Sequence, residues 1–299
     1  MAYRFCLGAS GAGKSTYLHR FLLEGAAESM RDLDSARPGF FLIVPEQYSM
    51  QTQMDLVRES ANKGIMNVDV LSFGRLSHRV FAEAGEDRRA VLNDVGKGLV
   101  LRRIAGRCEK DLQILGGSIH RHGMISEVKS VVSEFMQYGI GVEQVEAMRT
   151  EAQRAGKGAL AARLHDIGLL MEAFIKEEEK QFITSEQRLG LLSETIPHSA
   201  FLKDSVIVLD GFTGFTPVQL KVLAALIRTA RDVVISLDFG TDGGPSPSWV
   251  EDRGNAGREQ ALFYLTRKTI RDLHASAVKE GLQRGKDLYI GAGGAPADS

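Results

Sequence analysis

Cysteine is scarce, with only Cys6 and Cys108 in 299 residues. They lie far apart and show no C-x-x-C spacing, which excludes a disulfide framework and indicates no complete metal site. Cys6, inside a short apolar run, reads as core. Net charge is close to zero, formally −1 at pH 7. No global basic field therefore advertises nucleic acid, although a local groove of Lys and Arg is invisible in that sum. No apolar run approaches membrane-spanning length, and the first strand pattern begins within a few residues of Met1, which leaves no room for a signal peptide. These absences predict a cytoplasmic chain without a membrane partner. There is no internal repeat. What remains is ordinary for a globular protein, 43% hydrophobic and 25% charged residues, enough for one large or two smaller domains.

Short apolar runs rich in β-branched or aromatic residues occur at 4–7, 40–44, 67–71, 205–209 and 232–237. Most are separated by helical patterns. Such runs read as buried parallel strands, and their alternation with helices predicts an α/β sheet with helices on both faces and ligands beyond the carboxyl ends of the strands. From 87 to 203 the strand signal disappears and helical periodicity takes over, as in Val128, Val131, Val132, Phe135, Met136 and in Leu160, Leu164, Ile167, Leu170, Met171, Phe174. This stretch reads as a helical insertion. Its run Glu177-Glu178-Glu179-Lys180 is a solvated helix face on this reading, and His120 and His122 are surface residues. The predicted division is a discontinuous α/β domain, 1–86 with 204–290, the insertion 87–203, and a flexible tail or truncation end at 291–299. Within the second part, 239–257 reads as a loop or lid, a helix follows from about 258 to 280, and a further strand falls at 287–290.

Gly8 to Ser15 read G-A-S-G-A-G-K-S, a full match to the phosphate-binding loop pattern G-x-x-x-x-G-K-[S/T], between an apolar strand and a helical pattern. Glycines at 8, 11 and 13 permit backbone turns that aim successive N–H groups at one anion. Lys14 reaches the outer phosphates and the Ser15 hydroxyl ligates Mg2+. The helix N-terminus that follows adds its own affinity for phosphate. The nucleotide-binding set is thus Gly8, Ser10, Gly11, Gly13, Lys14, Ser15 and Thr16, with ATP and Mg2+ as cofactors. Val206-Ile207-Val208-Leu209-Asp210 supplies the partner carboxylate, so Ser15 and Asp210 are the metal-ligand pair. The residue after that acid is Gly211, which neither accepts a proton nor places a water, and hydrolysis is therefore expected to be weak or absent. Glu46 and Asp238, after neighbouring strands, are the candidate substitutes.

The residues around Asp210 carry a family resemblance. Asp210-Gly211-Phe212-Thr213-Gly214-Phe215-Thr216-Pro217-Val218-Gln219 keeps the frame of the superfamily 1 helicase motif D-E-[F/Y]-Q-D-T-x-P-x-Q, with Gly211, Thr213 and Gly214 in place of its Glu, Gln and Asp. The segment Val44-Pro45-Glu46-Gln47, the segment Leu71-Ser72-Phe73-Gly74-Arg75-Leu76, and Leu262-Phe263-Tyr264 with Thr266-Arg267-Lys268-Thr269 complete a set that resembles the N-terminal part of the B subunit (AddB/RexB type) of the AddAB helicase/nuclease. The resemblance spans nearly the whole chain. It implies a P-loop, RecA-like α/β fold, and a place in DNA double-strand-break repair by recombination beside an A subunit and DNA. It further implies that the helicase-like part guides or scans single-stranded DNA more than it drives it. In that family the second RecA-like domain and a nuclease domain with a four-cysteine iron–sulfur cluster lie further along, so neither cluster nor nuclease activity is expected of these residues. The corresponding helicase segments line the single-strand path, which makes Gln47, Arg75, Phe212 and Phe215 the candidate DNA contacts. Phe212 and Phe215 packing under the sheet, and Arg75 or Arg79 pairing with a surface acid, are the plainer alternatives.

Two other readings stay open at this level. One is a self-contained P-loop kinase or NTPase for a small molecule, with the helical region as its lid. The other is a scaffold whose P-loop is a relic.

Overall fold

The apolar runs form a parallel sheet because side chains on both faces of each strand are buried, which alternating sequences could not satisfy. The computed structural model describes residues 2–31, 38–61, 63–85, 90–119, 121, 123–178, 182–239 and 263–291. The chain divides into two compact units, Met1–Glu86 with Leu192–Phe215 and Gln219–Ser299, and Asp87–Leu191 with Thr216–Val218.

The first unit holds strands β1 (Ala2–Gly8), β2 (Phe40–Ile43), β3 (Val68–Leu71), β6 (Val206–Leu209), β7 (Asp232–Asp238), β8 (Gln283–Arg284) and β9 (Leu288–Tyr289). Their order is β3-β2-β6-β7-β1-β8, with β9 also paired to β1, and every pairing is parallel. Helix α1 (Lys14–Arg31) packs on one face, where Leu18 and Leu22 meet Cys6, Leu42, Val208 and Val234. The opposite side of β1 carries Tyr3, Phe5 and Leu7, all fully buried. There the Tyr3 hydroxyl lies 3.1 Å from Nδ1 of His274 on helix α10 (Tyr264–Lys279). The sheet is therefore covered on both faces, as the sequence predicts.

Helices α2 (Ser49–Glu59) and α3 (Phe73–Ala84) follow β2 and β3, and most of helix α9 (Pro217–Thr229), Gln219 onward, belongs to this unit. Strand β8 carries no apolar run, and its presence departs from the sequence reading. Register holds it: the backbone N–H of Phe5 donates to Oδ1 of Asp287 at 3.0 Å, so a side chain takes over the ladder between β8 and β9. The unit resumes at Leu192, ahead of position 204. Glu83 explains the earlier boundary, since it accepts from Ser199 Oγ at 2.6 Å, Ala200 N at 3.0 Å and Phe201 N at 3.3 Å, while the Phe201 ring meets Phe41 edge-on.

The second unit contains α4 (Asp94–Cys108), α5 (Met124–Gln137), α6 (Val142–Arg154), α7 (Gly158–Glu178) and most of α8 (Ser185–Thr195). It is not purely helical. Strands β4 (Ala90–Leu92) and β5 (Phe182–Thr184) form a parallel pair that three-residue runs do not announce. The predicted periodicity of α7 buries Leu164, Ile167, Leu170, Met171 and Phe174, whereas Leu160 is 46% exposed. Val128 and Val132 of α5 are buried in the same core, with Val131, Phe135 and Met136 packed at its border. Two polar features pin this core. Asp166 is fully buried and accepts from the backbone N–H groups of Gln113 at 2.7 Å, Ile114 at 2.8 Å and Leu115 at 2.8 Å. Lys97 donates to both oxygens of Glu186 at 3.0 and 2.8 Å, with each residue largely shielded from water. In the acidic run, Glu177 is not simply solvated, since it pairs with Arg103 and Arg107.

His120, His122, Glu179, Lys180, Leu262, the proposed lid beyond Phe239 and the tail beyond Gly291 lie outside the described residues. Among the described residues no helix is long and apolar enough to cross a membrane.

Candidate functional site

The parallel register decides which strand ends meet. Gly8 at the end of β1 pairs with Asp238 at the end of β7, and Leu209 of β6 pairs with Ile235 of β7. Asp210 consequently comes level with Ser236, one strand away from the glycine-rich loop. A cleft of about 430 Å³ opens at these ends, lined by Ser10, Gly11, Gly13, Lys14, Ser15 and Thr16 on one side. Asp210, Gly211, Phe212, Thr213, Ser236 and Asp238 line the other. The structure thus brings together the two motifs that the sequence holds far apart. Ser236 and Thr213 are additions, and a serine inside the apolar run of β7 is the signal that marks the first of them.

Within the loop, Gly11 and Gly13 have φ of +77° and +96°, a region that L side chains rarely adopt. Gly8 is a correction to the sequence reading. Its φ is not positive; a Cβ there would lie 2.6 Å from the carbonyl oxygen of Ile290, so close approach of the β9 end dictates this glycine. Lys14 opens α1 and is buried, and its ammonium donates to the carbonyl oxygens of Gly8 at 3.0 Å and Ala9 at 2.8 Å and to Oδ1 of Asp238 at 2.7 Å. Ser15 and Thr16, in the first turn, are exposed to the cleft.

Asp210 is only 7% exposed, and its carboxylate accepts no hydrogen bond among the described residues. Its oxygens are not among the buried polar atoms left unsatisfied; they open onto the cleft, where water or a cation completes them. With the Ser15 hydroxyl in the same cleft, the donor set is all oxygen, which suits Mg2+ completed by phosphate and water. No cluster of three or more His, Cys, Asp or Glu exists among the described residues, and a Mg2+ site of that shared type needs none. Cys6 lies just beneath. Burial first, and the negative charge of Asp210 second, push its thiol up to about 12, which keeps it neutral and inert.

The candidate single-strand residues sit on neighbouring strand ends of the same unit. Gln47 lies on a short 3-10 turn after β2, and Arg75 lies in the first turn of α3, whose N-cap Ser72 accepts from Arg75 N at 3.3 Å. Both side chains are exposed, and neither has a hydrogen bond or ion pair among the described residues. Arg79 differs: it pairs with Asp69 and stacks over Phe201 at 4.6 Å and Phe41 at 5.5 Å, a structural role. Phe212 and Phe215 are half-buried, their ring centroids 5.0 Å apart, and Phe212 also rests 5.5 Å from Phe73. Phe73 anchors this cluster from the Leu-Ser-Phe segment, where its own burial hides its part from sequence. Gly211, with φ +78°, holds its missing Cβ 3.5 Å from Pro45 and 3.7 Å from Tyr48. Of the two candidate substitutes for the absent glutamate, Asp238 lines the cleft. Glu46 does not, and its carboxylate instead faces Gly74 at the start of α3.

Residues 5–292 match the family described as ADDB, N-terminal. The chain is 35% identical over 286 residues to the B subunit of the ATP-dependent helicase/deoxyribonuclease of Lachnoclostridium phytofermentans, covering 95% of this chain and 23% of that protein. It is 32% identical over 291 residues to the protein of the same description from Heliobacterium modesticaldum, covering 97% and 23%. With that from Symbiobacterium thermophilum it shares 32% over 289 residues, covering 96% and 24%. The chain thus spans less than a quarter of the length of these relatives.

Proposed function

Because this chain belongs to the AddB N-terminal family, we propose that it is the helicase-like N-terminal part of a helicase/deoxyribonuclease B subunit that holds ATP with Mg2+ and guides single-stranded DNA with little hydrolysis of its own. It acts on this reading beside an A subunit during recombinational repair of DNA double-strand breaks. The observation that carries the proposal is the cleft. It combines a glycine-rich loop, a buried lysine and an unpartnered acid, and it lacks the acid that hydrolysis requires at the next position.

The loop from Gly8 to Thr16 wraps the phosphates, and Lys14 supplies the point charge for their outer oxygens. Ser15 and Asp210 hold the cation, which when bound neutralises phosphate charge. Gly211 provides no carboxylate to orient a water, so bound nucleotide persists. Its closeness to Pro45 and Tyr48 links the nucleotide cleft to the segment carrying Gln47. Exposed Gln47 and Arg75 supply donors to phosphate and base, and the Phe212–Phe215 pair offers ring faces for stacking.

The test is calorimetric titration of Mg–ATP into the wild type and Lys14→Ala, with phosphate release assayed with and without single-stranded DNA. Lys14-dependent binding without turnover is the expected result, and steady turnover by this chain alone overturns it. DNA binding is followed by anisotropy of a labelled oligonucleotide. Arg75→Ala or Phe212→Ala is expected to weaken it about five- to tenfold, in line with one phosphate contact or one stacked base.

A further inference from the structure

Lys14 is satisfied before any ligand arrives. An ammonium has three N–H donors, and all three are engaged, by Gly8 O, Ala9 O and Asp238 Oδ1. A phosphate oxygen must therefore displace one acceptor. The two carbonyls belong to the loop itself, whereas the Asp238 side chain is 55% exposed and the Lys14 side chain only 8%. The carboxylate is the exchangeable partner. Charge sharpens the point, because among the described residues the ionisable side chains lining the cleft are Lys14, Asp210 and Asp238. With both acids ionised they sum to one negative charge, in a site built for a polyanion. A divalent cation reverses that sign.

We propose that Asp238 makes nucleotide binding at this loop obligatorily coupled to a divalent cation, by holding Lys14 in the empty cleft and keeping the cleft net negative until the cation enters. The inference rests on the nucleotide-holding reading above and deepens it. Asp238 is here a specificity-determining residue: it discriminates cation-complexed from free nucleoside triphosphate, and it is neither the water-orienting base nor a cation ligand. Free triphosphate must compete with a carboxylate for Lys14 and approach two negative charges across a few ångströms, in a cleft partly shielded from water. The cation complex carries about half the net charge of the free triphosphate, so Asp238 repels it less.

The experiment compares ATP affinity by calorimetry in Mg2+ and in EDTA for the wild type, Asp238→Asn, Asp238→Ala and Glu46→Gln, at low ionic strength so that screening does not hide the charge. Thermal melts confirm that each variant is folded. Asp238→Asn and Asp238→Ala are expected to keep their Mg2+ affinity within about threefold and to gain at least about tenfold in EDTA, which is the scale of removing one nearby charge. Glu46→Gln, outside the cleft, leaves the ratio of the two affinities unchanged. Asp238 variants with the wild-type ratio overturn the inference while leaving nucleotide binding intact. Loss of the Mg2+-dependent affinity in those variants overturns it as well, since it makes Asp238 a cation ligand. Absence of binding in every folded protein under both conditions refutes the nucleotide reading itself, and the inference falls with it.

Discussion

Replacing Gly211 with an L residue tests the geometry that separates this cleft from a hydrolytic one. Its φ of +78° is a left-handed conformation, which costs an L residue about 1–2 kcal/mol. Steric conflict adds little, since a Cβ would meet Pro45 Cδ at 3.5 Å and Tyr48 Cδ2 at 3.7 Å, ordinary van der Waals contacts. Gly211→Ala is therefore expected to lower unfolding stability by about 1–2 kcal/mol. Gly211→Glu should cost a similar amount, because the penalty is in the backbone. Gly211→Asn should cost less, as Asn tolerates positive φ better than other L residues. The assay is equilibrium urea unfolding followed by circular dichroism, with an unchanged slope required before midpoints are compared. An alanine variant as stable as the wild type refutes the reasoning, because the backbone would then not be left-handed there. The consequence for chemistry is specific. Restoring the acid of the helicase motif here places it on a left-handed backbone against Pro45 and Tyr48, so Gly211→Glu is not expected to raise phosphate release by itself.

Two further outcomes follow from the buried polar groups. Burial pushes the Asp166 carboxyl up, but the backbone N–H groups of Leu115, Gln113 and Ile114 outweigh it and hold the group below its ordinary value. A depressed acid stabilises the fold fully above its unfolded pKa and loses that contribution as pH falls through the folded one. The helical unit should therefore weaken on acidification below the ordinary carboxylate range, and Asp166→Ala, which strands three amides, should cost about 3 kcal/mol or more at neutral pH, read by the same urea assay. For the cysteines, iodoacetamide at pH 8 under native conditions should modify the half-buried Cys108 and spare buried Cys6, whose thiol stands near 12; peptide mapping in which Cys6 is alkylated as fast as Cys108 refutes its burial.

The legible parts of this fold are those where burial is uniform. Strands such as Val206–Leu209 and, within β7, Val233–Ile235 are apolar on both faces because helices cover both, and that leaves an unbroken run in the sequence. Strands β4, β5 and β8 left none. Each pairs over two or three residues, too few for a period to show, and β8 is held by Asp287 rather than by its own apolar side chains. The boundary at Leu192 was hidden for a related reason: Glu83 clamps the segment from Ser199 to Phe201 by hydrogen bonds, and such a long-range cap has no local sequence signature.

The candidate site divides along the same line. Residue type at fixed spacing named the loop, Lys14, Ser15 and Asp210, because a phosphate and its cation demand those groups in that order. What spacing could not rank was Glu46 against Asp238, since both follow strands and both are acids. Register ranks them. Asp238 is the pairing partner of Gly8 and so stands beside the loop, whereas β2 lies beyond β6 and β7 from β1, and Glu46 turns toward α3 instead. Of these two acids, the one that reaches the cleft is held by Lys14 in the empty site. On the reading proposed above, a cleft that takes nucleotide through Lys14 and carries Gly211 in place of the motif's glutamate would retain it. On the same proposal, the approach of Gly211 to Pro45 and Tyr48 is the physical link by which bound nucleotide would reach the strand ends carrying Gln47, Arg75 and the Phe212–Phe215 pair.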